Sequence, residues 1–148
     1  MVGWRTLGLW MMVPDLDNLA AVGFDALYGL EVTDASPERI TARVPVRDEL
    51  KQPFGLVHGG VYAAIAEGLA SFGTALAVMT DGKVVMGISN HTSFLRPITE
   101  GVIHAHAVPR HAGRTTWVWE IEIRDQAQRP CALSRVTIAV RDARVPEA

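Results

Sequence analysis

The chain has 148 residues, 49% of them apolar, enough for one sizeable core and too few for two. Its formal charge of -2, with no cluster of lysine or arginine, argues against a nucleic-acid or membrane-surface partner held by charge. A single cysteine, Cys131, excludes an internal disulfide framework and suits a reducing, cytoplasmic setting, and no His/Cys spacing of the zinc type occurs, so no metal site is expected.

The first segment, MVGWRTLGLWMMVPD, follows a basic residue with an apolar run, as a secretory signal does. Gly8 breaks that run, Pro14 halts it, and no small-x-small cleavage site precedes Asp15 and Asp17. The expectation is a tail over residues 1–24, ending in a short helix within DLDNLAAVGFDALYG, followed by a single domain over 25–148. No segment offers the eighteen or so uninterrupted apolar residues of a membrane span.

Strands come next. ERITARVPV sets Ile40, Ala42, Val44 and Val46 on one face, with Thr41 and Arg43 on the other. After the long apolar segment described below, DGKVV turns into the extended VVMGISNHTSFLRP. GVIHAHAVPR alternates Ile103, Ala105 and Ala107 against His104 and His106. TTWVWEIEIRD sets Trp117, Trp119, Ile121 and Ile123 opposite Val118, Glu120, Glu122 and Arg124, and CALSRVTIAV repeats the pattern with Ala132, Ser134, Val136, Ile138 and Val140. The pattern predicts five strands and one long helix. With turns at DG, EG and QAQRP, it gives an α+β fold in which a curved antiparallel sheet wraps one central helix.

The helix lies in KQPFGLVHGGVYAAIAEGLASFGTALAVM, beginning at Gly59 and Gly60. It carries too few polar residues for a wet face, which predicts burial on all sides. Glu67 then stands out, because an ionised carboxylate in an apolar interior is normally paired, protonated or used in a reaction. Ser71 and Thr74 fall on its helical face and extend a polar stripe that would line a pocket or an interface. The alternative to a reactive role is an ion pair between Glu67 and an arginine of a partner chain. HGG at the helix start presents backbone N-H groups and the positive end of the helix dipole, suited to a developing oxyanion, and Gln52 and His58 stand ready as further donors. A glycine pair alone more often makes only a turn, so the combination carries the signal.

QPFGLVHGGVYAAIAEGLAS resembles the motif of hotdog-fold acyl-CoA thioesterases, in the branch whose catalytic carboxylate is a glutamate on the long helix. Within it the chain is most similar to the 4-hydroxybenzoyl-CoA and 1,4-dihydroxy-2-naphthoyl-CoA thioesterases. The similarity runs from about Glu38 through GISNHTSFLRP, HAGRTTWVW and IAVRDAR. It implies that Glu67 acts on the thioester carbonyl as nucleophile or as general base, with Ser71 holding water or the intermediate. Gly59 would polarise the carbonyl through its N-H, Gln52 would add a side-chain donor, and His58 would support the loop. The resemblance also implies a site built across a homodimer, assembled into a tetramer, with no cofactor beyond the coenzyme A of the substrate.

Substrate contacts are implied at Gly87, Phe94, Leu95, Arg96 and Pro97, at His111, Ala112, Gly113, Arg114, Thr115 and Thr116, and at Arg144. Arg114 stands where close relatives carry a small hydroxyl. Phe54, Val57, Tyr62, Met86 and His91 fall nearer the implied acyl site. His104 and His106 share a strand face without a third ligand and read as polar surface; Trp117 and Trp119 read as core or subunit packing. The expected activity is hydrolysis of an aryl or similarly compact acyl-CoA to free acid and CoA. The rivals are an acyl-thioester dehydratase or hydratase on the same scaffold, pairing His58 with Glu67, and a binding module without turnover.

Overall fold

The computed structural model describes residues 21–143. Its elements are α1 (Gly23–Tyr28), β1 (Glu31–Ser36), β2 (Arg39–Pro45), α2 (Gly59–Val78), β3 (Lys83–Phe94), β4 (Val102–Ala112), β5 (Thr116–Arg124) and β6 (Pro130–Asp142), with short 3-10 turns at Asp48–Leu50 and Met79–Asp81. The six strands form one sheet in the order β1-β2-β4-β5-β6-β3, every pair antiparallel. The sheet wraps α2, the layout expected from the sequence.

One strand more is present than the alternation predicts. β1 escapes it because Glu31, Thr33 and Asp34 are exposed and the register slips between Val32 and Asp34, so no apolar face is written into it. An edge strand of this kind is defined by its ladder to β2 rather than by burial.

In β2, β4 and β5 the alternation holds. Ile40, Ala42 and Val44 of β2, Ile103, Ala105 and Ala107 of β4, and Trp117, Trp119, Ile121 and Ile123 of β5 are buried toward α2, while their neighbours point outward. The register sets Ala42 opposite Ala105 and Ala105 opposite Ile123, leaving room for the helix. α2 approaches closely at Gly73, where a Cβ would lie 2.4 Å from the Trp119 ring. Trp117 and Trp119 stack with centroids 6.0 Å apart, and the Trp119 Nε1 donates to Thr74 Oγ1 at 2.8 Å. Thr74 Oγ1 in turn donates to the Ala70 carbonyl, so Thr74 is fully buried and belongs to the core, not to a polar stripe with Glu67.

Burial of α2 on every side is also corrected. Tyr62, Ile65, Ala66, Leu69 and Ala70 are buried, but Glu67 is exposed and Ser71 half-buried along a face that the sheet leaves open. The segment Gly59–Asp81 has the length and mean hydropathy (1.5) to cross a bilayer, yet these side chains are those of a core helix packed in its own sheet. The open face lies between two boundaries. On one side is β3, the far edge of the sheet, exposed at Met86, Ile88, Phe94 and just beyond at Leu95. On the other is α1, closed by Gly29 at φ 78° and packed so that Tyr28 joins the core.

Candidate active site

The N-terminus of α2 is ordered by the side chain of its own cap. His58 Nδ1 accepts from the Gly60 N-H at 2.9 Å, which leaves Nε2 as the ring's donor. The Val61 N-H goes to the His58 carbonyl at 2.9 Å. Gly59 is therefore left as the first N-H of the helix without a protein acceptor among the described residues. The ring of Phe94 sits beside it, because a Cβ on Gly59 would lie 2.8 Å from that ring. Upstream, Gln52 Oε1 accepts from the Phe54 N-H at 2.7 Å, inside a turn closed by Gln52 N to Leu56 O and Gly55 N to Gln52 O, both 2.9 Å. A backbone N-H can face only the oxygen of that amide, so Gln52 Nε2 is directed away as a donor.

Glu67 lies eight residues along α2 from Gly59, about 12 Å of axial rise. Ser71 Oγ donates to Glu67 Oε1 at 2.9 Å, fixing one carboxylate oxygen from the next turn. Gly87 of β3 makes room for that same oxygen, since a Cβ there would lie 2.7 Å from Oε1. Among the described residues no lysine or arginine is within ion-pair distance of Glu67. Within this one chain the carboxylate and the Gly59 N-H thus belong to one helix but stand too far apart to touch a single carbonyl.

The thioesterase superfamily model matches residues 54–132, which include α2 with Glu67, all of β3 to β5 and the start of β6. The chain is 36% identical to the proofreading thioesterase EntH of Cronobacter turicensis, over 89% of this chain and 98% of that one. It is 33% identical to the 1,4-dihydroxy-2-naphthoyl-CoA hydrolase of Listeria monocytogenes, over 83% and 99% respectively. The solved thioesterase of Haemophilus influenzae superposes with a TM-score of 0.82 at 32% identity, covering 92% of this chain and 94% of that one. The chain belongs to the thioesterase superfamily. It is a thioester hydrolase of the hotdog fold.

This thioesterase separates its expected substrate-contact residues into two groups. Phe94, Leu95, Arg96 and Pro97 lie beside the start of α2, where the Leu95 and Arg96 N-H groups hold the Cys131 carbonyl at 2.8 and 3.1 Å. His111, Ala112, Gly113, Arg114, Thr115 and Thr116 form the β4–β5 turn, at the other end of the molecule near Lys83 and the end of β6. β3 alone spans about 36 Å between Lys83 and Phe94. Gly87 falls between the groups, at Glu67 itself, and Arg144 lies outside the described residues.

The turn is tightly held. A Cβ at Gly113 would lie 2.6 Å from His111 Nε2, the Thr115 carbonyl accepts from Arg141 Nη1 at 2.9 Å, and Gly113 N donates to Thr116 O at 3.0 Å. Asp142 is held below the usual carboxylate range, first by its hydrogen bond from Lys83, then by the charge of Lys83, with Arg114 adding to it. Lys83, Arg114 and Arg141 gather at this end against the carboxylates of Asp81 and Asp142, a cationic excess suited to an anion.

Two residues near Glu67 carry no sequence signal. Tyr28 Oη donates to Asp25 Oδ1 at 2.5 Å, and both groups close on α2 at Gly68, the residue after Glu67, where a Cβ would lie 3.1 Å from Asp25 Oδ1 and 3.2 Å from Tyr28 Oη. Burial foremost, then the Asp25 carboxylate and lastly the charge of Glu67, push the Tyr28 hydroxyl far above its ordinary range. Only the packing of α1 on α2 brings this pair beside Glu67. His104 and His106 lie on the outer face of the sheet with Thr41, Glu122 and Arg124, lining a depression of about 390 Å³ remote from Glu67.

Proposed function

We propose that this thioesterase hydrolyses a small aromatic acyl-CoA, of the hydroxybenzoyl, phenylacetyl or dihydroxynaphthoyl type, to the free acid and CoA. Glu67 attacks the carbonyl carbon or takes a proton from the attacking water, and Ser71 orients the carboxylate. The Gly59 N-H and Gln52 Nε2 receive the oxygen of the tetrahedral intermediate, which they bind better than the ground-state carbonyl. A thioester is weakly resonance-stabilised and its thiolate leaves readily, so positioned donors and a carboxylate suffice without a metal or cofactor.

The observation that carries this reading is the 12 Å or so between Gly59 and Glu67 on one helix, together with the open face of α2 and its bare edge strand. A second copy, related by a two-fold axis beside β3, would set its own helix start against Glu67. It would also bring the cationic turn at Arg114 toward the other protomer's Phe94 to Pro97 segment, joining the two groups of substrate contacts. The minimal enzyme in this reading is a homodimer, paired into a tetramer and working in the cytoplasm. The Listeria relative named as a naphthoyl-CoA hydrolase and the exposed Phe94 and Phe54 support an aromatic acyl group. His58 Nδ1 is committed to the helix start, which favours hydrolysis over a dehydration in which that ring would exchange protons with the substrate.

The test is a panel of benzoyl, 4-hydroxybenzoyl, phenylacetyl, naphthoyl and straight-chain CoA esters in oxygen-18 water, with Glu67→Gln beside the wild type. Label should appear in the acid, aryl esters should turn over fastest, and E67Q should lose at least about a hundredfold in kcat with binding retained. Water loss with CoA still attached, or E67Q within a few-fold of wild type, overturns the proposal.

A further inference from the structure

We infer that Asn90 is a positioning residue for Glu67, acting through the backbone of α2; the inference rests on the reading of Glu67 as the reacting carboxylate. Asn90 Nδ2 donates to the Ala63 carbonyl at 2.8 Å. Ala63 is four residues before Glu67, so its carbonyl is the acceptor of the Glu67 N-H in the helical ladder. Asn90 therefore holds, from the facing strand, the carbonyl that accepts the Glu67 N-H.

The tether has a fixed direction. Thr92 Oγ1 donates to Asn90 Oδ1 at 2.8 Å, and a hydroxyl has a single proton, so in the Thr92 to Ser134 contact, also 2.8 Å, Ser134 is the donor. The chain runs from Ser134 to Thr92, to Asn90, to Ala63. With Oδ1 engaged by Thr92, the Asn90 amide cannot turn over, and Nδ2 stays on the helix. Thr92 and Ser134 are themselves paired in the β3–β6 ladder, which anchors the chain in the sheet.

β3 is shaped to make this contact. Its register with β6 slips between Gly87 and Ser89, the mark of a bulge that bends a strand and re-aims its side chains. On one side of the irregularity Gly87 abuts the Glu67 carboxylate, and on the other Asn90 reaches Ala63. Two points on one strand thus clamp the catalytic turn: one sets where the carboxylate lies, the other sets how far the helix stands from the strand. Reaction rates respond steeply to such spacing, since a misplacement of about 1 Å can cost a hundredfold.

The test compares wild type, Asn90→Ala and Thr92→Val, with E67Q as the control for the function itself. It follows benzoyl-CoA and 4-hydroxybenzoyl-CoA hydrolysis together with amide hydrogen exchange at Glu67. N90A should lower kcat by about tenfold or more with KM within about threefold, and should speed Glu67 exchange by a similar factor. T92V leaves Asn90 in place but unoriented, and should move both quantities in the same direction by a smaller factor; it carries the test if N90A does not fold. A fall in kcat with Glu67 exchange unchanged overturns the inference, because Asn90 would then act on the substrate directly. Faster exchange with kcat unchanged, or neither changed, also overturns it. If E67Q keeps its activity the reading of Glu67 fails instead, a result the exchange data do not share.

Discussion

The proposed division of one active site between two chains predicts that two inactive variants restore each other. Gln52→Ala removes an oxyanion donor near the start of α2, and Glu67→Gln removes the carboxylate about 12 Å further along the same helix. Each homodimer should be impaired, by about 10²- to 10³-fold for the donor and at least about a hundredfold for the carboxylate. In a mixed dimer one site inherits both defects, but the other combines the Glu67 of the Q52A chain with the Gln52 of the E67Q chain and is intact. Random exchange makes about half the dimers mixed, each with one working site of two, so activity should recover to about a quarter of wild type. The assay is aryl-CoA hydrolysis before and after the two variants are unfolded together and refolded. Activity that stays at the mean of the two parents would show that each chain holds a complete site, and the distance argument would be wrong.

Gly87→Ala should push the Glu67 carboxylate aside, since the new Cβ would lie 2.7 Å from Oε1. The displaced group is the end of a flexible, exposed side chain, so kcat should fall by about tenfold with little change in Tm; unchanged kcat would show that the carboxylate need not lie against β3. Gly73→Ala meets a fully buried ring instead, with its Cβ 2.4 Å from Trp119. Overpacking of about 1–3 kcal/mol should exceed the gain of up to about 1 kcal/mol from replacing a helical glycine, which thermal unfolding would register as a lower Tm. Asp125 is held below the usual carboxylate range, first by the Arg129 backbone N-H at 2.9 Å. A carboxyl whose pKa is depressed by folding adds stability above its unfolded value of about 4 and loses it as pH falls through the folded one. Asp125→Asn should therefore lower Tm at neutral pH, and the difference should close as the medium is acidified; a difference independent of pH would refute the assignment.

The two-residue alternation determined β2, β4, β5 and β6 with the correct faces inward, because each of these strands buries one side against a helix. The apolar run entered through Gly59 and Gly60 likewise placed α2 and singled out Glu67, Ser71, Gly59, Gln52 and His58, since a charged or hydroxyl group in an oily run, and a glycine pair before it, are visible without coordinates. β1 was not legible, being stabilised by its ladder rather than by an apolar face. Nor was the open side of α2: which flank of an apolar helix the sheet leaves bare depends on strand order, which periodicity does not encode. The same holds for Thr74, whose hydroxyl turned inward to the Trp119 indole, and for Asp25, Tyr28 and Asn90, which reach the turn around Glu67 from α1 and β3. Composition and spacing decided which chemical groups this chain carries and, in β2, β4, β5 and β6, which face each would take. Tertiary structure alone decided their distances, because groups far apart in sequence meet only once the sheet has closed on its helix.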